Sequence, residues 1–295
     1  ISGAADGAQL ALWRGCDVDP CRFAVVTRAG DDVHGELLGA SVTTVTPVPG
    51  GWLLEDARGI TRLSPSGERP ELSDTGPGGD DVMPGDTAVS TSGGWRLLRG
   101  SKLISLPELD LMDVADAYVT EAGRLLIASN GGVRSPVTVA ATDDGRSWDY
   151  DVAPRVTDAV TAVLTGSGDH VAVVLLGEDP DGSIPVVDVL LTEDAGRRWS
   201  MAVNLDSSGG DRVRNMSAFA VGADGTTYLT TESHHLVRVD DEGFATPIQL
   251  SASDTGVFRS GDEVCVVVER GRYDALVCSP DGLTEWADQP LPGLG

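Results

Sequence analysis

The stretch Ala141-Thr-Asp-Asp-Gly-Arg-Ser-Trp148 recurs fifty-one residues later as Thr192-Glu-Asp-Ala-Gly-Arg-Arg-Trp199. Both copies read x-x-Asp-x-Gly-x-x-Trp, and both follow an apolar run, Val137 to Ala140 in the first and Val186 to Leu191 in the second. An apolar run that ends in Asp-x-Gly is a strand entering a tight turn. The carboxylate of Asp143 or Asp194 can accept backbone N–H groups of the turn, and Gly145 or Gly196 can take the positive φ that closes it. Trp148 and Trp199, three residues on, are placed to fold back over the hairpin and bury their rings.

At the Asp, Gly and Trp positions the motif resembles the Asp-box, or BNR repeat, of the sialidase-type β-propellers. The match is looser at Ala141 in the first copy and Arg198 in the second. In that family the box caps the turn between the third and fourth strands of a blade, on the face away from the active site. The resemblance therefore implies structural roles for Asp143, Gly145, Trp148, Asp194, Gly196 and Trp199. For a sialidase proper it would also imply a three-arginine cluster, a Tyr–Glu pair, an Asp acid/base and an Arg-Ile-Pro near the first blade. No Arg-Ile-Pro occurs here, and the nearest Tyr–Glu pair, Tyr273 with Glu269, lies inside a hairpin.

Working outward from the two copies, turn-like glycines alternate in two series. The first is Gly7, Gly51, Gly94, Gly123, Gly168, Gly225 and Gly261; the second is Gly30, Gly67, the Pro107-Glu108 turn, Gly145, Gly196, Gly243 and Gly282. They interleave without exception and mark seven units of about forty residues. A second internal repeat, Gly50-Gly-Trp-Leu-Leu54 and Gly93-Gly-Trp-Arg-Leu97, falls in the first series. Two β-rich runs lie between successive turns, as in Val171 to Leu176 with Val186 to Leu191. A run of small residues such as Thr43 to Val48 precedes each first-series turn. A more polar run such as Arg69 to Leu72 or Asp149 to Val152 follows each second-series turn.

Small inner strands, apolar middle strands and polar edges predict an all-β fold, a seven-bladed β-propeller of four-stranded antiparallel blades spanning residues 1–295 as one domain. A pair of β-sandwiches is the rival, and the single period argues against it. Leu109 to Tyr118 is expected to be a loop with one turn of helix. Unit one is expected to lack its own inner strand, because only Ile1 to Asp6 precede its first turn.

Composition narrows the function. The 295 residues carry a net charge of −25, so a phosphate backbone is repelled and nucleic acid is an unfavourable partner. No apolar run approaches the ~20 residues of a membrane-spanning helix. No signal peptide is visible, and an export segment before Ile1 is expected to have been removed. The four cysteines fall into two local pairs. With Gly271-Arg272 as a two-residue turn, Cys265 faces Cys278 on a non-hydrogen-bonded rung that suits a cross-strand disulfide. Cys16 and Cys21 bracket Asp-Val-Asp-Pro. Two disulfides imply an extracellular or cell-envelope location; four reduced cysteines are the alternative.

In a propeller of this kind the loops joining middle strands, and those joining blades, share one face. Nine of the arginines fall there: Arg14, Arg58, Arg99, Arg134, Arg155, Arg212, Arg214, Arg270 and Arg272. Arginine forks suit carboxylates, so a ring of them could hold an acidic sugar; solvated salt bridges are the plainer reading. Glu232-Ser-His-His235 cannot aim both histidines to one side of a strand, and Asp17-Val-Asp19 and Asp179-Pro-Asp-Gly182 lack calcium-loop spacing, so no metal or other cofactor is expected. There is no P-loop, dinucleotide fingerprint or nucleophile elbow. Two functions remain: a secreted or envelope-attached, non-catalytic propeller binding a carbohydrate or protein, or a glycoside hydrolase using carboxylates of the loop face.

Overall fold

The computed structural model describes the chain except residues 5, 16–21, 39–41, 75–80, 107–112, 132–135, 157, 179–183, 203–211, 214–218, 232–235, 249, 251–252, 271–272, 281, 283–284 and 292–295, and the side chains at 14–15, 22, 43, 212–213, 253–255 and 273–274. The described residues form seven sheets in a ring, antiparallel except for one short edge pairing, and no helix: a seven-bladed β-propeller.

Each blade begins at the central channel and steps outward. Blade 1 is Ser2–Gly3, Gln9–Gly15, Arg22–Ala29 and Asp32–Leu38; blade 2 is Val42–Val48, Gly51–Asp56 and Gly59–Leu63. Blade 3 is Thr87–Thr91, Gly94–Arg99 and Lys102–Ser105, and blade 4 is Val114–Val119, Leu125–Ser129 and Val139–Thr142. Blade 5 is Thr161–Ser167, His170–Leu176, Ile184–Thr192 and Ser200–Met201, and blade 6 is Phe219–Val221, Thr227–Thr230, Leu236–Val239 and Ala245–Ile248. Blade 7 is Ser253–Ser260, Glu263–Arg270, Tyr273–Ser279 and Ala287–Gln289.

Local chemistry sets the hairpins. All thirteen glycines of the two series have positive φ, from 60° at Gly30 to 140° at Gly51. The second strands are sandwiched between neighbouring blades and are apolar on both faces, as in Leu125–Ser129, buried throughout. Four-stranded regularity holds only in part. Among the described residues blade 2 has three strands, and the outer edge of blade 4 is the isolated bridge Ala141–Asp149. Of the stretch expected to be a loop with one turn of helix, Leu109 to Tyr118, the part from Val114 onward belongs to the inner strand of blade 4, and 109–112 lie outside the described residues. Alternation wins over helix propensity there because Ala117 and Val119 are buried against blade 3.

Blade 3 runs opposite to its neighbours. The turn after its inner strand donates the Ser92 N–H to Glu55, at the far end of the second strand of blade 2. Its next turn, at Gly100, accepts from Arg62, which also holds the Pro49 carbonyl in the first turn of blade 2. The segment entering its inner strand packs on Gly123 of blade 4. The chain reaches this arrangement by lending Ser73–Asp74, beyond blade 2, to the outer edge of blade 3 as a parallel strand. Pro107-Glu108, the one position of the second series without glycine, lies outside the described residues.

The ring closes without exchanging a strand. Unit one does have an inner strand, Ser2–Gly3, paired with Gln9 and Leu10; two residues suffice because Gly3 lies against the Arg259 carbonyl of blade 7, where a Cβ would sit 2.2 Å from the oxygen. Buried apolar clusters join blades 1 and 2, 2 and 3, 3 and 4, 4 and 5, 5 and 6, and 6 and 7. Toward blade 1, blade 7 presents a cluster of its own residues, among them Cys265, Leu276, Cys278 and Leu291. The seam is completed by Gly261 N–H to Ala4 O at 3.0 Å, Ser260 Oγ to Gly7 O at 3.0 Å and Arg28 to Pro290 O at 2.9 Å.

Candidate functional site at the turn-face mouth of the channel

The two aspartate turns lie on the face that carries the first turn of each blade except blade 3, here the turn face. In blade 5 the turn is capped as the motif suggests. Asp194 Oδ1 accepts the backbone N–H groups of Arg197 at 3.0 Å and Arg198 at 2.8 Å, while Thr192 Oγ1 accepts that of Gly196 at 3.0 Å. Trp199 donates Nε1–H to Gly196 O and packs half-buried on the core between blades 4 and 5.

In blade 4 the capping residue is Asp144, not Asp143. Asp144 Oδ1 accepts from Arg146 at 2.8 Å and Ser147 at 2.7 Å, and Thr142 Oγ1 accepts from Gly145 at 2.9 Å. These N–H groups hold the Asp144 carboxyl down at about 2. Asp143 turns away to Arg124, at 2.9 Å, and to Arg197 of the blade 5 turn, at 3.5 Å. The correction has a simple cause. Each cap is a strand-end threonine with an aspartate two residues later, and the blade 5 turn then contains one more residue, Ala195, at φ 58°. Aligning the copies on glycine and tryptophan thus displaces the aspartates by one. Gly145 is at φ 72°, and Trp148 packs half-buried between blades 3 and 4.

Cys265 and Cys278 face each other across blade 7 with a Cα–Cα distance of 4.1 Å and form a disulfide. Cys16 and Cys21 lie outside the described residues. Among the described residues one group has metal-ligating types within reach of each other, Glu263, Cys265 and Cys278. Its sulfurs are bonded to one another and offer no thiolate.

The expected arginine ring is not assembled by the described residues. Arg99 lies on the turn face because blade 3 is reversed; it forks onto Asp86 with two 2.7 Å bonds. Arg155 is paired with Asp151, and Arg270 with Asp288 at 2.9 Å. Arg58 is exposed on the loop between the second and third strands of blade 2. Arg134, Arg214 and Arg272 lie outside the described residues, as do 232–235, 17–19 and 179–182, and at Arg14 and Arg212 only the backbone is described.

A cavity of about 800 Å³ lies elsewhere, in the central channel between the inner strands of blades 2, 3, 4 and 5. It runs from mid-depth, at Ser90, Asp116 and Leu164, to the turn-face mouth at Pro49, Glu121 and Gly168. Trp95 and Tyr118 supply aromatic wall. The Tyr118 ring lies over Gly166, where a Cβ would meet Cζ at 2.5 Å, and its hydroxyl donates to Gly168 O at 3.3 Å. Burial pushes the phenol up to about 12.

Asp116 sits at an irregularity in the pairing of the blade 4 inner strand. Its carboxylate accepts the Leu164 N–H of blade 5 at 2.9 Å and its neighbour Ala117 N–H at 2.8 Å. Most of the side chain is beneath the channel surface, and part is open to the cavity. Burial raises its pKa to about 7 against the pull of those two N–H groups. Sequence reading missed this residue; the signal was a lone acid inside Val114-Ala-Asp-Ala-Tyr-Val119.

No family model matches the chain, and no curated protein matches it. Solved structures do. "YCF48 bound to D1 peptide" is 12% identical, with 98% of this chain and 88% of that chain covered at a TM-score of 0.41. A structure from work on two prolyl endopeptidases is 14% identical, with 96% of this chain and 48% of that one covered at 0.49. The sialidase of Trypanosoma rangeli, in complex with the inhibitor DANA, is 12% identical, with 93% and 53% covered at 0.42. The chain and its structure agree on one conclusion, a seven-bladed β-propeller.

Proposed function

We propose that this chain is a non-catalytic binding propeller of the cell envelope or exterior, and that its carbohydrate or protein ligand enters the channel by the turn-face mouth. The observation that carries the reading is the channel cavity, a preformed space with aromatic wall and a few polar groups. The Cys265–Cys278 disulfide supports an oxidising compartment. The aspartate turns support kinship with the Asp-box propellers by resemblance.

A glycoside hydrolase is the second reading, and one observation favours it: a carboxyl raised to about 7 is suited to a general acid. It needs a partner acid: hydrolysis takes a second carboxylate roughly 5–9.5 Å from the first. Glu121, the wall acid nearest along the chain, stands at the mouth, in the turn past the end of the Asp116 strand. The third acid of the wall, Asp86, is bound to Arg99.

Glycan and peptide arrays probed with the whole chain, beside a reducing-sugar release assay on every glycan that binds, test the proposal. Binding without release, weakened by filling the cavity at its exposed wall residue with Ser90→Leu, is expected. Sugar release that disappears in Asp116→Asn would establish the hydrolase instead.

A further inference from the structure

The wall of the channel cavity has an uneven chemistry. Among the described residues its lining holds three acids, Asp86, Asp116 and Glu121, two aromatic rings, Trp95 and Tyr118, and no lysine, arginine or histidine. Asp86 is neutralised by the fork from Arg99. Among the described residues Asp116 meets two backbone N–H groups and no cation, which leaves carboxylate lone pairs toward the cavity. Arg259, the cation near Tyr118, is itself held by Ser167, Gly261 O and Asp262.

We propose that the cavity binds a primary ammonium group carried on an extended peptide segment, with Asp116 as counter-charge at the deep end and Glu121 at the mouth. The proposal rests on the cavity being the ligand site. Aromatic faces attract a cation within about 6 Å, so Trp95 and Tyr118 reinforce the carboxylates instead of merely excluding water. The surrounding charge acts in the same direction: a chain at −25 draws cations toward its channel. Depth chooses the carrier. Asp116 lies at mid-depth and Glu121 in the turn past the end of the strand, five residues on and at most about 16 Å away, a span that suits an extended chain of a few residues better than a single sugar ring.

The amides of Ala117 and Leu164 donate to Asp116 and report on it directly. Their ¹⁵N–¹H shifts would be followed at pH 8, on the whole chain, during titration with n-butylammonium and with the neutral isostere 1-butanol. Saturable shifts at both amides are expected with n-butylammonium, at least ten-fold weaker with 1-butanol, and lost in Asp116→Asn. Glu121→Gln is expected to weaken the ammonium a few-fold. Tetra-alanine amide with a free amino terminus is expected to bind more tightly than its N-acetylated form and than glucosamine.

Equal response to 1-butanol and n-butylammonium overturns the ammonium assignment while leaving the cavity as a ligand site. Silence with both overturns the cavity reading as well. Glucosamine binding at least as tightly as the free-amine peptide overturns the peptide carrier. The wild-type comparison of the two butyl probes decides the matter even if Asp116→Asn fails to fold.

Discussion

The turns of blades 4 and 5 share a pattern of letters and differ in the atoms that use it. Asp194 caps the blade 5 turn from the third position of its motif; in blade 4 the same position, Asp143, faces Arg124, and Asp144 caps. What the two turns conserve is the unit threonine, any residue, aspartate, which begins where the strand ends. The hydroxyl and the carboxylate satisfy the N–H groups that the turning chain cannot pair. One extra residue, Ala195, is absorbed after the cap. The aspartate left over in blade 4 becomes a tie between blades. With Asp149 at 3.3 Å it neutralises Arg124, whose side chain is 6% exposed, and it reaches Arg197 of the next turn.

Substitution separates the two caps from the tie. Asp194→Ala should have the largest effect, a loss of about 1–2 kcal/mol, because its carboxylate serves two N–H groups beside the buried Gly196. Denaturant unfolding measures it. Asp144→Ala should lower the melting temperature by less, since its turn is more exposed, yet by more than Asp143→Ala. Alignment of the copies on glycine and tryptophan demands the reverse order for the last two, so a larger drop in Asp143→Ala would restore Asp143 as the cap.

Acid titration sharpens the same contrast. The carboxyls of Asp144 and Asp194 are both depressed, Asp144 to about 2. Their contribution is complete above the ordinary carboxylate value of about 3.9 and fades as pH falls through the folded values. The deficit of Asp144→Ala relative to the parent should therefore shrink between pH 4 and pH 2. Asp116 acts oppositely. Its folded pKa is raised to about 7, so the folded state holds the extra proton and this residue's share of stability declines as pH climbs from about 4 through 7. Unfolding of the parent and of Asp116→Asn at pH 5 and pH 8 should show a smaller loss with rising pH in the variant.

Ala195→Gly should have the smallest effect. Glycine relieves the left-handed conformation at φ 58°, while the methyl it removes is fully buried and the unfolded chain gains freedom. These terms nearly cancel, and a change under about 0.5 kcal/mol is expected in the same unfolding assay.

The amino-acid sequence by itself determined the seven units, their hairpins and the blade 7 disulfide. These are consequences of local chemistry. A positive φ is a property of one residue, which is why every glycine of the two series holds a turn. The register of a hairpin follows from its turn, which is why Cys265 meets Cys278. Tertiary structure alone decided the direction of blade 3. Gly50-Gly-Trp and Gly93-Gly-Trp build the same hairpin, but Trp52 is fully buried between blades 1 and 2 while Trp95 lines the channel cavity, and the two turns open to opposite faces of the ring. A hairpin is apolar on both sides and carries no mark of which end belongs up. The choice is made by what the neighbours offer, such as Glu55 for the Ser92 N–H. The same limit hid the channel site. A lone aspartate in an inner strand is legible; that the strands of four blades surround it with aromatic wall and, among the described residues, no cation is a fact of the ring.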